Sequence, residues 1–541
     1  MKHDLGIKVK KMNAAVEFRN ITKTFGNVVA NDHISFEIHK GEILALLGEN
    51  GSGKTTLMNM LSGIYFPDFG EIYVNGKKAT IQSPKDALAL GIGMIHQHFK
   101  LVDVMTATEN IVLGLNEPGK FDLKKAAAKI QEICDRYGFE LNLNQKIYTM
   151  SVSQKQTVEI VKVLYRQADF LILDEPTAVL TPQETEKLFR ILRNMKKDGK
   201  AIIIITHKLN EVKEISDRVV VMRSGKFISS LNTADVSIQE MTNQMVGHQF
   251  ELHVNRTVPK DPQPRIRVQG LTVRSEEGVT KLNDISFTAF SNEILGIAGI
   301  SGSGQKELLE AISGLQKVEQ GSVRFLDGEQ ESELIGKNPL EIENLGVTLS
   351  FVPEDRLGMG LVGNMDLAEN MMLRSFRKGG LFFAERKGPK SLAAKVVREL
   401  GVVTPNLETP VRHLSGGNVQ KVLVGREISS TPKVLLTAYA VRGLDINSSY
   451  TIYELLEKQK QKGVSVVYVG EDLDTLLALC DRILVLADGK LMGAVDARKI
   501  SKNDVGLLMM GQNIETGKLL DPNRPYSGER SEGTDSEVTH E

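Results

Sequence analysis

Eight consecutive residues, Gly48-Glu49-Asn50-Gly51-Ser52-Gly53-Lys54-Thr55, carry the most specific chemistry in the chain. Their glycines let backbone N–H groups turn inward around phosphate oxygens, at the positive end of a following helix. Lys54 can neutralise β/γ-phosphate charge, and Thr55 offers its hydroxyl to Mg²⁺. Farther along, Phe170-Leu171-Ile172-Leu173 runs into Asp174-Glu175-Pro176-Thr177. An aspartate there suits the surroundings of Mg²⁺, and Glu175 suits a general base that polarises an attacking water. His207, just past another apolar run, is a candidate contact to the γ-phosphate or that water.

These groups need elements to hold them. Ile43-Leu44-Ala45-Leu46-Leu47 reads as a buried strand that feeds the glycine loop. Behind the loop, Leu57, Met60, Leu61 and Ile64 fall on one helical face at i, i+3, i+4, i+7. Strand, glycine loop and helix is the context a phosphate loop requires. Short β-branched runs alternate with helical patterns along the chain, which predicts an α/β fold with largely parallel sheets.

The pattern occurs twice. Asp217 corresponds to Asp481 and Gly225 to Gly489, 264 positions apart, while Gly48 corresponds to Gly299, 251 positions apart. The copy has lost its chemical groups. Gln305 stands at the position of Lys54, Lys306 at Thr55, Ala438 at Asp174, Tyr439 at Glu175 and Glu471 at His207. The expected domains are 14–250 and 265–512, joined by a proline-bearing linker at about 251–264. The polar end of the chain, 513–541, is expected to be a disordered tail.

Bulk properties narrow the classes. The chain has 541 residues, too many for one core, with 67 basic and 68 acidic side chains. That balance gives no bulk attraction to nucleic acid or anionic lipid, so no nucleic-acid partner is expected. Two distant cysteines, Cys134 and Cys480, give neither a zinc site nor a disulfide framework. No apolar run approaches the ~18 residues that span a bilayer, and the basic start lacks the apolar stretch of a signal peptide. A cytoplasmic protein is expected, touching a membrane only through partners.

The order of phosphate loop, Gln97, serine-led signature, Leu-Asp-Glu-Pro-Thr and Thr206-His207 resembles the ABC transporter ATPases, over roughly residues 14–512 and twice over. The resemblance implies two fused nucleotide-binding domains, each with a mainly parallel sheet core, an antiparallel β part and a helical subdomain. It implies ATP and Mg²⁺ as ligands. Phe25 would stack on adenine, Gly48 to Thr56 (Thr56 included) would hold the phosphates, and Thr55, Gln97 and Asp174 would surround Mg²⁺. Glu175, His207 and Gln97 would act in hydrolysis. In such head-to-tail pairs each ATP lies between one domain's phosphate loop and the other's signature. Ser415-Gly416-Gly417-Asn418 is intact and would complete the first site, whereas Met150-Ser151-Val152-Ser153-Gln154 is eroded. One working composite site and one degenerate site follow.

Within the family, Pro353-Glu354-Asp355-Arg356 and Arg442-Gly443-Leu444-Asp445 are similar to the fused ATPases of simple-sugar and nucleoside importers. His96 to Val102 and Ala178 to Glu184 resemble the nucleoside branch. The alternatives are a monosaccharide importer and a soluble ABC protein acting on ribosomes, whose usual long charged linker is missing here. DNA-repair relatives carry cysteine-rich zinc modules, which two cysteines exclude. The implied partners are two transmembrane permease subunits and, through them, an extracytoplasmic solute-binding protein, with the chain at the cytoplasmic face of the cell membrane.

Overall fold

Ile43–Leu47 and Ala201–Ile205 are apolar at every position, so both faces of their sheet must be covered. The computed structural model shows how. It describes residues 14–526 apart from 27, 50, 97–98, 116–121, 179, 207, 248–254, 276–277, 301, 345–348, 354–355, 377–385, 430–431, 442–443, 445 and 471. The chain divides into two compact units, Met1–Leu252 and His253–Glu541.

In the first unit a six-stranded sheet has the order Lys226–Asn232, Arg218–Arg223, Ile43–Leu47, Ala201–Ile205, Phe170–Asp174, Ile92–Ile95. All neighbours are parallel except the Lys226–Asn232 hairpin. Side chains alternate between two cores, as strand geometry demands. Leu44, Leu46, Ile203 and Ile205 join the helix Lys54–Leu61 and an antiparallel four-stranded sheet that includes Ala14–Phe25 and Val28–His39. Ile43, Ile202, Ile204, Leu171 and Leu173 face the other way, onto helices that include Leu123–Tyr137 and Val152–Tyr165. Each unit is α/β, as read from the sequence.

The second unit repeats the plan. Its main sheet runs Leu349–Val352, Val434–Ala438, Ser465–Val469, Ile294–Gly299, Arg482–Ala487, Lys490–Asp496, with a seventh strand, Leu519–Leu520, at the edge. That strand corrects the expected tail. Residues 513–526 are built into the fold: Pro522 O accepts Thr288 N–H and Arg482 Nη1, and Tyr526 is buried. Residues 527–541 lie outside the described residues.

Residues 255–263 contain no helix or strand, and the next strand starts at Pro264. The expected linker is nonetheless docked on the second unit. Thr257 donates its N–H to Glu457 at 2.9 Å, and its carbonyl accepts Lys460 Nζ at 2.6 Å and Arg498 at 2.8 Å. Lys460 is buried with Asp481, 3.0 Å away. A fully buried pair, Glu293–Arg482, ties the strands together beneath this, and Glu42–Arg218 is its counterpart in the first unit. Both glutamates are raised by burial, with the arginine opposing.

Candidate functional site

The phosphate loop leaves the C-terminal end of Ile43–Leu47 and enters the helix Lys54–Leu61. Only glycine fits where the loop is tightest. A Cβ at Gly48 would meet Met222 O at 2.3 Å, and one at Gly53, where φ is +93°, would meet Ala30 O at 2.3 Å. Gly51 also has positive φ, +83°, the left-handed region that favours glycine. No side chain caps the helix, which leaves its first N–H groups for an anion.

Lys54 is buried and turned back into the loop. Its Nζ donates to Gly48 O at 2.8 Å, Glu49 O at 2.9 Å and Ser52 Oγ at 3.3 Å. Burial lowers its pKa, against the pull of Glu175, Asp174 and Glu49. Asp174 ends its strand facing the same space. Burial and then Glu175 push its pKa up to about 6, and Lys54 opposes the rise. Two carboxyls and one lysine therefore share a partly desolvated pocket with a surplus of negative charge. That arrangement fits Mg²⁺ beside a phosphate chain. Among the described residues no cluster of His, Cys, Asp or Glu could hold a metal by itself. Asp174 and the exposed Thr55 would be the protein's ligands, with phosphate oxygens completing the set.

Glu175 sits one residue beyond Asp174 with φ 49°, its N–H donating to Ile205 O at 2.9 Å. Thr56, half-buried, follows Thr55 in the helix. Phe25 ends the strand Ala14–Phe25 and remains 44% exposed. The returning strand lies on the loop, where Asn31 Nδ2 donates to Gly53 O at 3.1 Å. Asn50, Gln97 and His207 lie outside the described residues, as do Glu354, Asp355, Arg442, Gly443, Asp445 and Glu471. Thr206 is buried, and its Oγ1 accepts Lys208 N–H at 3.1 Å.

In the second unit Gly416–Ser429 is a helix that Ser415 introduces. Ser415 Oγ accepts Asn418 Nδ2 at 2.9 Å, and Asn418 Oδ1 accepts Val403 N–H at 3.0 Å. A Cβ on Gly417 would meet only Leu444 Cδ2, at 3.2 Å. In the first unit Ser151 forms a capping box with Gln154, so its hydroxyl and backbone are bound into the helix start. The second phosphate loop closes on itself. Gln305 is buried, donates Nε2 to Ile300 O at 3.2 Å, and lies where a Cβ on Gly299 would touch it at 2.5 Å. Ala438 and Tyr439 offer no carboxylate at the positions of Asp174 and Glu175.

The structure adds a residue that sequence reading passed over. Gln156 is buried in the signature helix and donates to Pro176 O at 2.6 Å, directly beyond Asp174-Glu175. Gln420 makes the same bond to Ala440 O at 2.6 Å. Their separation of 264 positions, the offset of the repeat, was the signal available in the sequence.

The ABC transporter family matches residues 31–178 and again 282–437. The chain is 41% identical over 505 residues to the nucleoside import ATP-binding protein NupA of Lactococcus lactis, covering 92% of this chain and 98% of that protein. It is 42% identical to the guanosine import ATP-binding protein NupO of Bacillus subtilis, covering 94% and 99%. A ribose import ATP-binding protein, RbsA 1 of Streptomyces avermitilis, is 37% identical, covering 92% and 94%. The solved structure of an RNase-L inhibitor shares the fold at 17% identity, with a TM-score of 0.60 over 92% of this chain and 93% of that one. With its duplicated match and whole-length relatives, the chain belongs to the ABC transporter family, among the fused double-domain ATP-binding proteins of the sugar and nucleoside importer group, which are ATPases coupled to solute import.

Proposed function

We propose that this ATPase drives nucleoside import from one working composite site, formed by the phosphate loop of the first domain (14–250) and the signature of the second (265–512). The observation that carries the reading is the sorting of groups. Lys54, Asp174 and Glu175 face one pocket in the first unit, while Gln305, Ala438 and Tyr439 replace them in the second. The intact signature, Ser415 to Asn418, lies in the half without a catalytic pocket. Nucleoside as cargo draws on the nucleoside and guanosine importers among the relatives; sugar is the competing cargo.

ATP is the substrate. Lys54 exchanges its loop carbonyls for β/γ-phosphate oxygens, and the amides of Gly51 to Thr56 surround the rest of the chain. Asp174 and Thr55 would hold Mg²⁺, with Gln97 beside it, and the ion would supply neutralisation of phosphate charge. Glu175 takes the proton from the attacking water and His207 orients that water, while Ser415 and the amides of Gly416 and Gly417 cap the γ-phosphate. Phe25 seats the base.

Among the described residues no helix is long and apolar enough to cross a membrane. Membrane permease partners follow from the import family. Two permease subunits, an extracytoplasmic solute-binding protein delivering to them, and a seat at the cytoplasmic face complete the proposal. Reconstitution with those permeases tests it: nucleosides presented by the binding protein should stimulate ATP hydrolysis. Stimulation by sugars alone would reassign the cargo.

A further inference from the structure

We propose that Tyr65 is a positioning residue for the nucleotide base, acting by holding the Phe25 ring. The inference rests on the reading that nucleotide occupies the first phosphate loop. The two rings lie edge to face, centroids 5.2 Å apart and planes at 70°. Phe25 is a half-exposed side chain at the end of a strand, with Lys23 Nζ 5.4 Å from its ring centroid and an aromatic neighbour needed to fix its rotation about χ1. Tyr65 supplies that neighbour from a fixed place. Its N–H donates to Asn59 O at 3.1 Å, which ties it to the last turn of the helix that Lys54 begins. One short element therefore presents the phosphate cation at one end and the prop for the base at the other.

The backbone around the pair is pinned independently. Asp68 accepts Lys23 Nζ at 2.8 Å, Thr24 N–H at 2.6 Å and Thr24 Oγ1 at 2.7 Å. These bonds occupy both carboxylate oxygens and fix the strand end without Tyr65, while Lys23 Nζ also lies 5.4 Å from the Phe25 ring centroid. The aromatic contact is thus not needed for the fold of this corner. It serves whatever stacks on Phe25.

The second unit supplies an internal comparison. Asp68 N–H donates to Thr22 O, and Glu319 N–H donates to Thr272 O, which aligns Ser275 with Phe25. Tyr65 N–H reaches Asn59 O, and Gln316 N–H reaches Glu310 O, which aligns Gln316 with Tyr65. The ionic brace survives there as Arg274–Glu319 at 2.9 Å. Both rings are gone. The pair is present beside the loop that has Lys54 and absent beside the loop that has Gln305, while the scaffold is kept in both.

The test measures ADP and inorganic pyrophosphate binding to the full chain by calorimetry, with Mg²⁺, in Tyr65→Gln, Tyr65→Phe and Lys54→Ala. ADP carries the base and pyrophosphate does not. Tyr65→Gln should weaken ADP about three- to tenfold, the worth of an aromatic pair, and leave pyrophosphate within about twofold. Tyr65→Phe should keep both, since the contact uses the ring and not the hydroxyl. Unchanged ADP binding in Tyr65→Gln, or equal loss of ADP and pyrophosphate, would overturn the role of Tyr65. If Lys54→Ala leaves ADP binding intact, the placement of nucleotide at this loop fails instead, and the Tyr65 proposal with it.

Discussion

Glu175 and Tyr439 stand on the same backbone: each follows the last residue of its strand with φ in the left-handed region, 49° and 54°, and each N–H donates to the neighbouring strand, to Ile205 O and Val469 O. Positive φ is uncommon for such side chains, and most uncommon for bulky ones. The second unit keeps the turn although it has no carboxylate to present. The sheet therefore sets this conformation, and the side chain at its tip is free to be a base or not. Swapping that side chain should change chemistry without undoing the fold.

Glu175→Gln follows from this. It should bind ATP as the parent does and turn it over at least ~100-fold more slowly, through loss of the general base. Steady-state hydrolysis of the assembled transporter and bound nucleotide per chain check it. Turnover within a few fold of the parent would remove Glu175 from that role.

Asp174 gives a pH signature. Its pKa is about 6 in the folded chain against an ordinary 3.8, so between those values the folded state holds the extra proton. The stability it contributes is complete below 3.8 and lost as pH rises through about 6. Asp174→Asn removes that loss. Between about pH 5 and pH 7, its melting temperature without nucleotide should gain on the parent's by about 2–4 °C. A flat difference would contradict the raised pKa.

The composite site proposed above predicts an asymmetry between signatures. Gly417→Asp has room for its Cβ, apart from one contact at 3.2 Å to a flexible leucine, so its fold should survive. A carboxylate facing the γ-phosphate should nevertheless abolish hydrolysis, by like-charge repulsion. Ser153→Asp, in the eroded signature, should affect hydrolysis far less. Equal losses in the two variants would instead indicate two working sites.

The chain's end gives a stability prediction. Truncation after Gln512 removes the edge strand Leu519–Leu520, the Pro522 carbonyl that receives Arg482 and Thr288, and the buried Tyr526. Compared with a chain ending at Ser527, its melting temperature should fall by at least about 5 °C, since buried donors lose their acceptor. Coincident melting curves would show that these contacts add nothing.

What could be read in advance was what has a short-range signature. The loop at Gly48 to Thr55 follows from its spacing, and the strands around it from apolar runs that alternate between two cores. The placement of Asp174 beside Lys54 needed only the rule that strand ends gather at one edge of a parallel sheet. Pairings across long separations left no local trace. Thr257 bound to Glu457, Lys460 and Arg498 turns a proline-rich segment into a docked one. Pro522 under Arg482 turns a polar terminus into part of the sheet. Composition marked both stretches as loose because it cannot register partners 40 to 241 positions away. Tyr65 was passed over for a related reason: its importance lies in facing Phe25, and nothing in its neighbours along the chain says so.

Lys54 Nζ is bound to its own loop, through two carbonyls and a hydroxyl. Nucleotide capture is then a swap of partners and not the filling of an unmet need. Only the difference between a charge-assisted bond to phosphate and the bonds given up contributes to affinity. The same ledger runs backward after hydrolysis. When product leaves, the ammonium has acceptors waiting within hydrogen-bond reach, so departure does not strand a buried charge.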